Sequence, residues 1–520
     1  MAALSTGCLP SEIPNSFEEA IEMKGWKDAI QVELNNLERN ETWEVIPKSA
    51  MPVNQKLIDT RWIFTMKDQD GQDLKKARLV ARGFQQQISI EEDIYAPVAR
   101  MTTLRILLSL AVDLDLRIHQ MDVKAAFLKG VLKEPVYIKV PEGVNCDRDR
   151  MVCKLTKSLY GLKNAPKSWN DVLNSELLQL SFERCLVDPC LYFMKNACTY
   201  LLVWVDDILL FSNNDKEADS IKNALKEVFD IKELNKNHNK FKFLGINIEI
   251  KNGELYLSQQ DLICKVLNQF EMNTCKISQI PMEPRLNLSV DERDENYKVP
   301  YKELIGSLMY IMLGTRPDLC YSITFFSQFQ NCYNLSHWKH LKNVLRYLKG
   351  TVNLSLKYSK SVHCNEFIIK SYADSDFASN VNDRKSISGY IVKLNENTVS
   401  WKSKKQNVVA LSTAEAEYVS LSTCITEVLF LKQLIESILK IKLTNVVAYE
   451  DNQTCIKMAK TMETKRSKHI DVRHHFIREL IEKGVLKLLY LPTDEQIADI
   501  MTKSLSLPKF SYFRSQIGMI

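Results

Sequence analysis

The chain has 520 residues, 45% of them hydrophobic, and a formal net charge of +5 from 69 basic and 64 acidic side chains. That length predicts several domains, each able to bury a core, and excludes a small disulfide scaffold or a disordered polyelectrolyte. The mild positive excess permits nucleic acid as a partner without demanding it. The 13 cysteines form no C-x-x-C pair and no Cys/His cluster with zinc spacing. They read as reduced, mostly buried thiols of an intracellular protein. No apolar run of membrane-spanning length and no charged start followed by an apolar signal core is expected from the sequence, and hence no membrane partner.

Residues 1–40 read as a leader plus one helix, on which Trp26, Ile30, Leu34 and Leu37 recur at helical spacing. Residues 41–250 mix short β-rich runs with helices. Arg61-Trp62-Ile63-Phe64, Val136-Tyr137-Ile138 and residues 200–211 are strand-like, and residues 102–111 read as a buried helix. Residues 251–365 turn helical after Ser258. Residues 281–300, with their prolines and the charge run Asp291-Glu292-Arg293-Asp294-Glu295, fit a linker. From Phe367 the order strand, strand, strand, helix, strand, helix predicts a separate mixed α/β domain over 366–505, with a tail over 506–520. No internal repeat is present.

The most informative stretch is Leu201-Leu202-Val203-Trp204-Val205-Asp206-Asp207-Ile208-Leu209-Leu210-Phe211. Burying unpartnered charges costs several kcal/mol or more, so two aspartates inside an apolar run call for a cation opposite them. Paired oxygen ligands suit Mg²⁺, and a two-metal phosphoryl-transfer site is the first hypothesis. The plainer alternative is a hairpin turn, where Asp is common, although such turns usually offer Asn-Gly or Asp-Gly. Asp122, in Gln120-Met121-Asp122-Val123-Lys124-Ala125-Ala126-Phe127, also ends a β-like run before a helix-prone segment. Alone it reads as a helix N-cap. Together with Asp206 and Asp207 it reads as a second ligand segment.

Asp122-Val123-Lys124-Ala125-Ala126-Phe127 and Trp204-Val205-Asp206-Asp207 resemble the two metal-binding motifs of reverse transcriptases, and more narrowly those of the Pol polyprotein of Ty1/copia-type retrotransposons. Further similar stretches follow in the same order as in that family. They are Lys76-Ala77-Arg78-Leu79-Val80-Ala81-Arg82-Gly83, Ser158-Leu159-Tyr160-Gly161-Leu162-Lys163-Asn164-Ala165-Pro166 and Phe243-Leu244-Gly245. The resemblance implies a right-hand polymerase of fingers, palm and thumb, with fingers and palm over 41–250 and a thumb or connection region over 251–365. It implies Asp122 and Asp206 as ligands bridging two Mg²⁺ ions (Mn²⁺ as the alternative), with Asp207 supporting them. Lys76 and Arg78 would meet the triphosphate of an incoming dNTP, and Arg suits bidentate phosphate contact. Their plainer reading is a solvated strand charge. Phe127 stands where the family places a ring that rejects a ribose 2′-hydroxyl, against an ordinary core aromatic. Tyr160 and Gly161 would lie against the templating base and nucleotide. Phe243-Leu244-Gly245 resembles the turn that grips the primer. Trp204 departs from the family's usual Tyr, losing a hydroxyl, and Asn164 stands in place of Gln.

A second set of acids follows: Ser371-Tyr372-Ala373-Asp374-Ser375-Asp376, then Leu411-Ser412-Thr413-Ala414-Glu415-Ala416-Glu417-Tyr418, then Tyr449-Glu450-Asp451-Asn452-Gln453, then Glu495-Gln496-Ile497-Ala498-Asp499-Ile500. Each acid alone reads as a cap or a surface charge. Four carboxylates at the element ends of one α/β domain argue for a shared site. The series resembles ribonuclease H, which follows the polymerase in these elements. The resemblance implies Asp374, Glu417, Asp451 and Asp499 as the acids of a two-metal RNA hydrolase, with Glu417 preferred to Glu415 and Asp374 to Asp376. Trp401-Lys402-Ser403-Lys404-Lys405 suits backbone contact with a hybrid or a solvated strand face. Lys468-His469-Ile470-Asp471-Val472-Arg473-His474-His475 matches no zinc signature and is read as structural or as a nucleic-acid contact. The implied partners are an RNA template, a DNA or RNA primer, an RNA–DNA hybrid and other Pol or Gag products in a virus-like particle, in the cytoplasm or the nucleus. The rival expectation is a decayed element that binds nucleic acid without activity, or a fragment or processed product of a larger polyprotein.

Overall fold

A computed structural model describes residues 12–69, 72–87, 94–235, 239–288, 298–361, 366–379, 383–461 and 471–520, with 67–69, 72–73 and 471–474 described as backbone alone. The first eleven residues, the charge run at 291–295, and Lys468, His469 and Ile470 lie outside them. The fold is mixed α/β.

Six strands form a central antiparallel sheet in the order Ile231–Glu233, Arg117–Val123, Asp207–Ser212, Thr199–Trp204, Leu191–Met194, Phe182–Arg184. Alternation of side chains decides its two faces. Tyr200, Leu202, Leu209 and Phe211 pack with the helix Met101–Asp113 on one side. Leu201, Val203, Ile208 and Leu210 pack with Trp169, Leu173 and Leu177 of the helix Ala165–Gln179, and with Ala218, Ile221 and Leu225 of the helix Asp215–Val228, on the other. A run apolar at every position is thus a strand buried on both faces.

A four-stranded sheet, Trp43–Pro47, Met151–Lys157, Val131–Lys139 and Leu57–Ile58, stands beside the hairpin Thr60–Gln69/Gln72–Ala81. The leader contains two helices rather than one, because Ser16 caps Phe17–Glu22 and the left-handed Gly25 starts Trp26–Arg39 afresh. Trp26 and Ile30 bury against Phe64 and Ala77 of the hairpin.

The expected boundary at residue 250 falls inside a sheet. Lys240–Phe243, Ile246–Lys251 and Glu254–Ser258 pair in sequence and close with Leu356–Tyr358. The helices Gln260–Gln269, Tyr301–Gly314, Cys320–Ser327 and Leu335–Gly350 pack on that side. A fully buried pair, Arg316–Asp318, is tied to the Tyr347 hydroxyl there.

From residue 369 a five-stranded sheet runs Asn397–Lys405, Ile387–Leu394, Ile369–Asp376, Val446–Glu450, Lys487–Tyr490, its first three strands antiparallel and the last two joins parallel. The helix Thr413–Leu439 crosses it. By length and composition that helix could cross a membrane, contrary to the sequence expectation, yet most of its apolar window is buried against the sheet. The sheet is separate but its core is not. Helix Met101–Asp113, buried almost all round, is wedged between the central sheet and the C-terminal one. Arg105 stacks its guanidinium on Trp401 at 3.7 Å, and Ser109 accepts from Asn397 at 2.9 Å. The expected C-terminal tail is instead a helix, Leu507–Gln516, because Phe510 and Phe513 bury into this shared core.

Candidate active sites

The strands Arg117–Val123 and Asp207–Ser212 pair so that Asp122 faces Asp207 directly across the ladder. Trp204, three residues before Asp207, faces it across the hairpin. Asp122 is therefore no helix cap: the short 3₁₀ turn that follows starts after Ala125. Asp206 sits in the two-residue link between the hairpin strands, so the turn reading describes its backbone. The link is unusual. Val205 has φ of 60°, a left-handed conformation that a β-branched residue adopts at a cost of about 1–3 kcal/mol. The surroundings hold it there: the Trp169 indole N–H donates to the Val205 carbonyl at 2.6 Å, and Val123 N–H donates to the Asp206 carbonyl at 3.0 Å.

Asp122 and Asp206 open on one cavity of about 780 Å³, also lined by Lys76, Arg78, Lys124 and Tyr160. Asp207 shares their end of the sheet but does not line that cavity. Arg78 stacks over the Tyr160 ring at 4.9 Å. Burial raises the Tyr160 hydroxyl to about 12, with Arg78 opposing, so it stays a neutral donor. Tyr160 is fixed by backbone: its carbonyl accepts from Ala81 N–H at 2.7 Å, and Gly161, at φ of 90°, lets the loop lie so close that a Cβ would overlap the Ala81 carbonyl. The strand carrying Lys76 and Arg78 and the loop carrying Tyr160 are thus one unit. Asn164 is buried and accepts from the Gln86 amide at 3.3 Å, which ties the same loop to the hairpin.

Phe127 is placed differently from the expectation. It lines a neighbouring apolar cavity of about 520 Å³ with Trp169, Val203 and Val205, and meets the acid-lined cavity only through its edge-on contact with Tyr160 at 4.9 Å. Leu244 and Gly245, at φ of 49° and 72°, form the tight turn after Phe243, and the Tyr310 hydroxyl donates to the Leu244 carbonyl at 2.8 Å. Gln120 anchors this hairpin to the central sheet through the Lys242 carbonyl at 3.0 Å.

The second site lies at the C-terminal sheet. Asp374 comes from the strand Ile369–Asp376, Glu417 from the first turns of Thr413–Leu439, and Asp451 from the end of Val446–Glu450. One carboxylate oxygen of each lies within 4.8 Å of the others, a grouping of three ligand atoms that the Asp122 site does not reach among the described residues. Glu415 is turned to capping, accepting from Leu411 N–H at 2.9 Å. Burial pushes the Asp374 carboxyl up to about 7, with Lys503 pulling it back. Burial, then the neighbouring Asp374 and Glu450 carboxylates, hold Glu417 well above its ordinary range. Oε2 of Glu417 is buried with no hydrogen-bond partner. An orphaned carboxylate oxygen in an all-oxygen acidic group fits a hard divalent cation such as Mg²⁺ or Mn²⁺.

Two residues of this site escape sequence reasoning. Glu450 is fully buried beside Asp451 and Asp374 and leaves Oε2 without a partner. Its adjacency to Asp451 was the available signal. Lys503 bridges Asp374 at 3.1 Å and Asp499 at 2.9 Å, and nothing local in the sequence announces that. Asp499 is not in the three-carboxylate group. Asp376 accepts from Ile387 N–H and the Ser379 hydroxyl instead. Trp401 is buried, donates to the Met312 carbonyl at 3.2 Å and lies under Arg105, so it offers no ring to a hybrid. Lys402 and Lys404 alone remain on the exposed face of that strand.

The family described as reverse transcriptase (RNA-dependent DNA polymerase) matches residues 40–284. The chain is 37% identical over 528 residues to a retrovirus-related Pol polyprotein from transposon TNT 1-94 of Nicotiana tabacum, covering 97% of this chain and 39% of that one. It is 36% identical to the corresponding polyprotein from transposon RE1 of Arabidopsis thaliana, covering 97% of this chain and 34% of that one. A transposon Ty5-1 protein of Saccharomyces cerevisiae is 33% identical over 292 residues, 55% of this chain and 92% of that one. The chain thus spans between a third and two fifths of the length of the first two relatives. Among solved structures, a prototype foamy virus protease-reverse transcriptase aligns with a TM-score of 0.27 at 13% identity, over 93% of this chain and 55% of that one. A ribonuclease H1 solved with an RNA/DNA hybrid aligns with a TM-score of 0.21 at 15% identity, over 26% of this chain and 93% of that one.

Proposed function

Because the chain belongs to the copia-type retrotransposon Pol family with its reverse transcriptase, we propose that it is an RNA-directed DNA polymerase joined to a ribonuclease that cuts RNA in RNA–DNA hybrids. The observation that carries the polymerase reading is the convergence of Asp122 and Asp206 on the cavity lined by Lys76, Arg78 and Tyr160. On this reading the central sheet is the palm, the hairpin Thr60–Gln69/Gln72–Ala81 and its companion sheet are the fingers, and the helices from Gln260 onward form the thumb and connection.

Asp122 and Asp206 would hold divalent cations, Mg²⁺ or Mn²⁺, with Asp207 across the ladder from Asp122 completing the charge. When bound, such ions lower the pKa of a primer hydroxyl and neutralise the leaving pyrophosphate. The chain's own residues do the rest. Lys76 and Arg78 bind the triphosphate of a dNTP and counter its charge. Tyr160, fixed by Ala81, orients the nucleotide. Phe127 acts on the sugar through Tyr160, narrowing the space for a 2′-hydroxyl. Leu244-Gly245 positions the primer terminus. In the nuclease site Asp374, Glu417 and Asp451 would hold the cation that activates water for attack on the RNA strand. Template, primer and hybrid are the substrates. Assembly with other Pol or Gag products in a particle, cytoplasmic or nuclear, belongs to the same proposal.

The test is extension of a primer on an RNA template by the purified chain with Mg²⁺ or Mn²⁺, with hybrid cleavage followed in parallel. Activity in both assays supports the reading. Failure of both, with nucleic acid still bound, establishes the decayed-element alternative.

A further inference from the structure

The fourth acid of the proposed nuclease, Asp499, is neutralised from within the chain. Its Oδ1 meets the Lys503 ammonium at 2.9 Å and its Oδ2 the Lys509 ammonium at 2.8 Å. Lys503 also reaches Asp374 Oδ1 at 3.1 Å, while Thr502 donates to Asp374 Oδ2. Both Asp374 and Asp499 are almost fully buried, so these contacts are poorly screened. Beside Asp374, the carboxylates of Glu417, Asp451 and Glu450 form no ion pair among the described residues, and Glu417 and Glu450 each keep a buried oxygen without a hydrogen-bond partner. The site is therefore asymmetric. One arm is open carboxylate and the other is already closed by a cation on a covalent tether.

The reason lies in the local fold. A short 3₁₀ turn, Ile497–Met501, carries Asp499 inward, and Thr502 and Lys503 follow directly, so Lys503 lies one turn beyond Asp499 and folds back over it. Lys509 comes from the first turn of Leu507–Gln516, whose Phe510 and Phe513 pin the helix to the core. Three anchors thus fix the two ammoniums, and neither is a loosely held surface charge.

We propose that Lys503 supplies the second positive charge of the nuclease site, so that one divalent cation binds on Asp374, Glu417 and Asp451 while Asp499 serves as the counter-ion that positions Lys503. This rests on the nuclease reading of the site and departs from the two-metal expectation for it. Electrostatics favour it: a second divalent ion between Asp374 and Asp499 must displace an ammonium already hydrogen-bonded to both. Lys503 is a positioning group for Asp374, which it meets at 3.1 Å.

The experiment counts bound Mn²⁺ by calorimetric titration and by electron paramagnetic resonance of free Mn²⁺. It uses the full chain with Asp122→Asn and Asp206→Asn to silence the polymerase pair. Expected are one Mn²⁺ in this parent, none with added Asp451→Asn, and still one with added Asp499→Asn. Lys503→Met should raise the count to two, and Lys503→Arg should keep it at one. The melting temperature of the Lys503→Met chain should also rise more with Mn²⁺ than that of the parent. Two Mn²⁺ in the parent, an unchanged count in Lys503→Met, or loss of an ion in Asp499→Asn would overturn the proposal. Hybrid cleavage is measured separately: an inactive parent with the expected ion counts refutes the nuclease reading and leaves the role of Lys503 standing.

Discussion

Replacing Gly161 by alanine tests whether the loop carrying Tyr160 and the strand carrying Lys76 and Arg78 form one nucleotide-binding unit. Gly161 has φ of 90°, where an L-residue pays about 1–2 kcal/mol. Its Cβ would overlap the Ala81 carbonyl, so the loop must lift away. Lifting breaks the 2.7 Å bond from Ala81 N–H to the Tyr160 carbonyl, which contributes about 0.5–1.5 kcal/mol. The sum, about 1.5–3.5 kcal/mol, falls on the joint between the strand of Lys76 and Arg78 and the loop of Tyr160 rather than on a core. Borne by nucleotide binding, it corresponds to a rise in KM for dNTP of roughly 10- to 300-fold at about 1.4 kcal/mol per decade. Steady-state primer extension over a range of dNTP concentrations reads this directly, with hybrid cleavage as the internal control, because the second site shares none of these residues. A KM for dNTP within about threefold of the parent, in a protein with normal hybrid cleavage, would refute the coupling argument.

Asp318→Ala leaves Arg316 charged and fully buried without its partner, so thermal or denaturant unfolding should show a loss of about 3–5 kcal/mol. Burial alone would raise the Asp318 carboxyl, but the Arg316 guanidinium holds it below the ordinary carboxylate range. Its stabilising contribution is therefore complete above the unfolded-state value near 4 and is lost as pH falls through the lower folded value, so the parent should lose more stability on acidification than Asp318→Asn does. Trp204→Tyr restores a hydroxyl beside Asp207 and should raise the extension rate; no gain would mean that the hydroxyl is dispensable on this scaffold. Tyr310→Phe removes the donor that holds the Leu244 carbonyl and should weaken primer use with little change in KM for dNTP, at a stability cost of about 0.5–1.5 kcal/mol.

Much of this architecture could be read from local pattern because the pattern is a direct image of burial. The doubly apolar run at 200–211 is a strand pair between two helical layers, and Asp206 and Asp207 interrupt it where the sheet ends. Glu417 rather than Glu415 points into the second site because Ser412 starts the helix and turns Glu415 back on the cap. What stayed hidden depends on contacts distant in sequence. Trp401 interleaved with lysines looks the same whether its ring faces solvent or Arg105, and only the wedge of helix Met101–Asp113 decides it. Lys503 looks like a surface lysine until Asp374, far upstream, is folded against it. The strained Val205 is invisible too, since its conformation is imposed by the pairing on either side and by Trp169.

The most direct test of the account is a separation of activities in the full chain. Asp206→Asn and Asp451→Asn are compared in matched assays of primer extension on an RNA template and cleavage of an RNA–DNA hybrid. Asp206 opens on the cavity of Lys76, Arg78 and Tyr160, and Asp451 belongs to the Asp374–Glu417 group. Two independent sites predict that Asp206→Asn abolishes extension and spares cleavage, while Asp451→Asn does the reverse. Loss of both activities from either single substitution, in protein that melts like the parent, would contradict it.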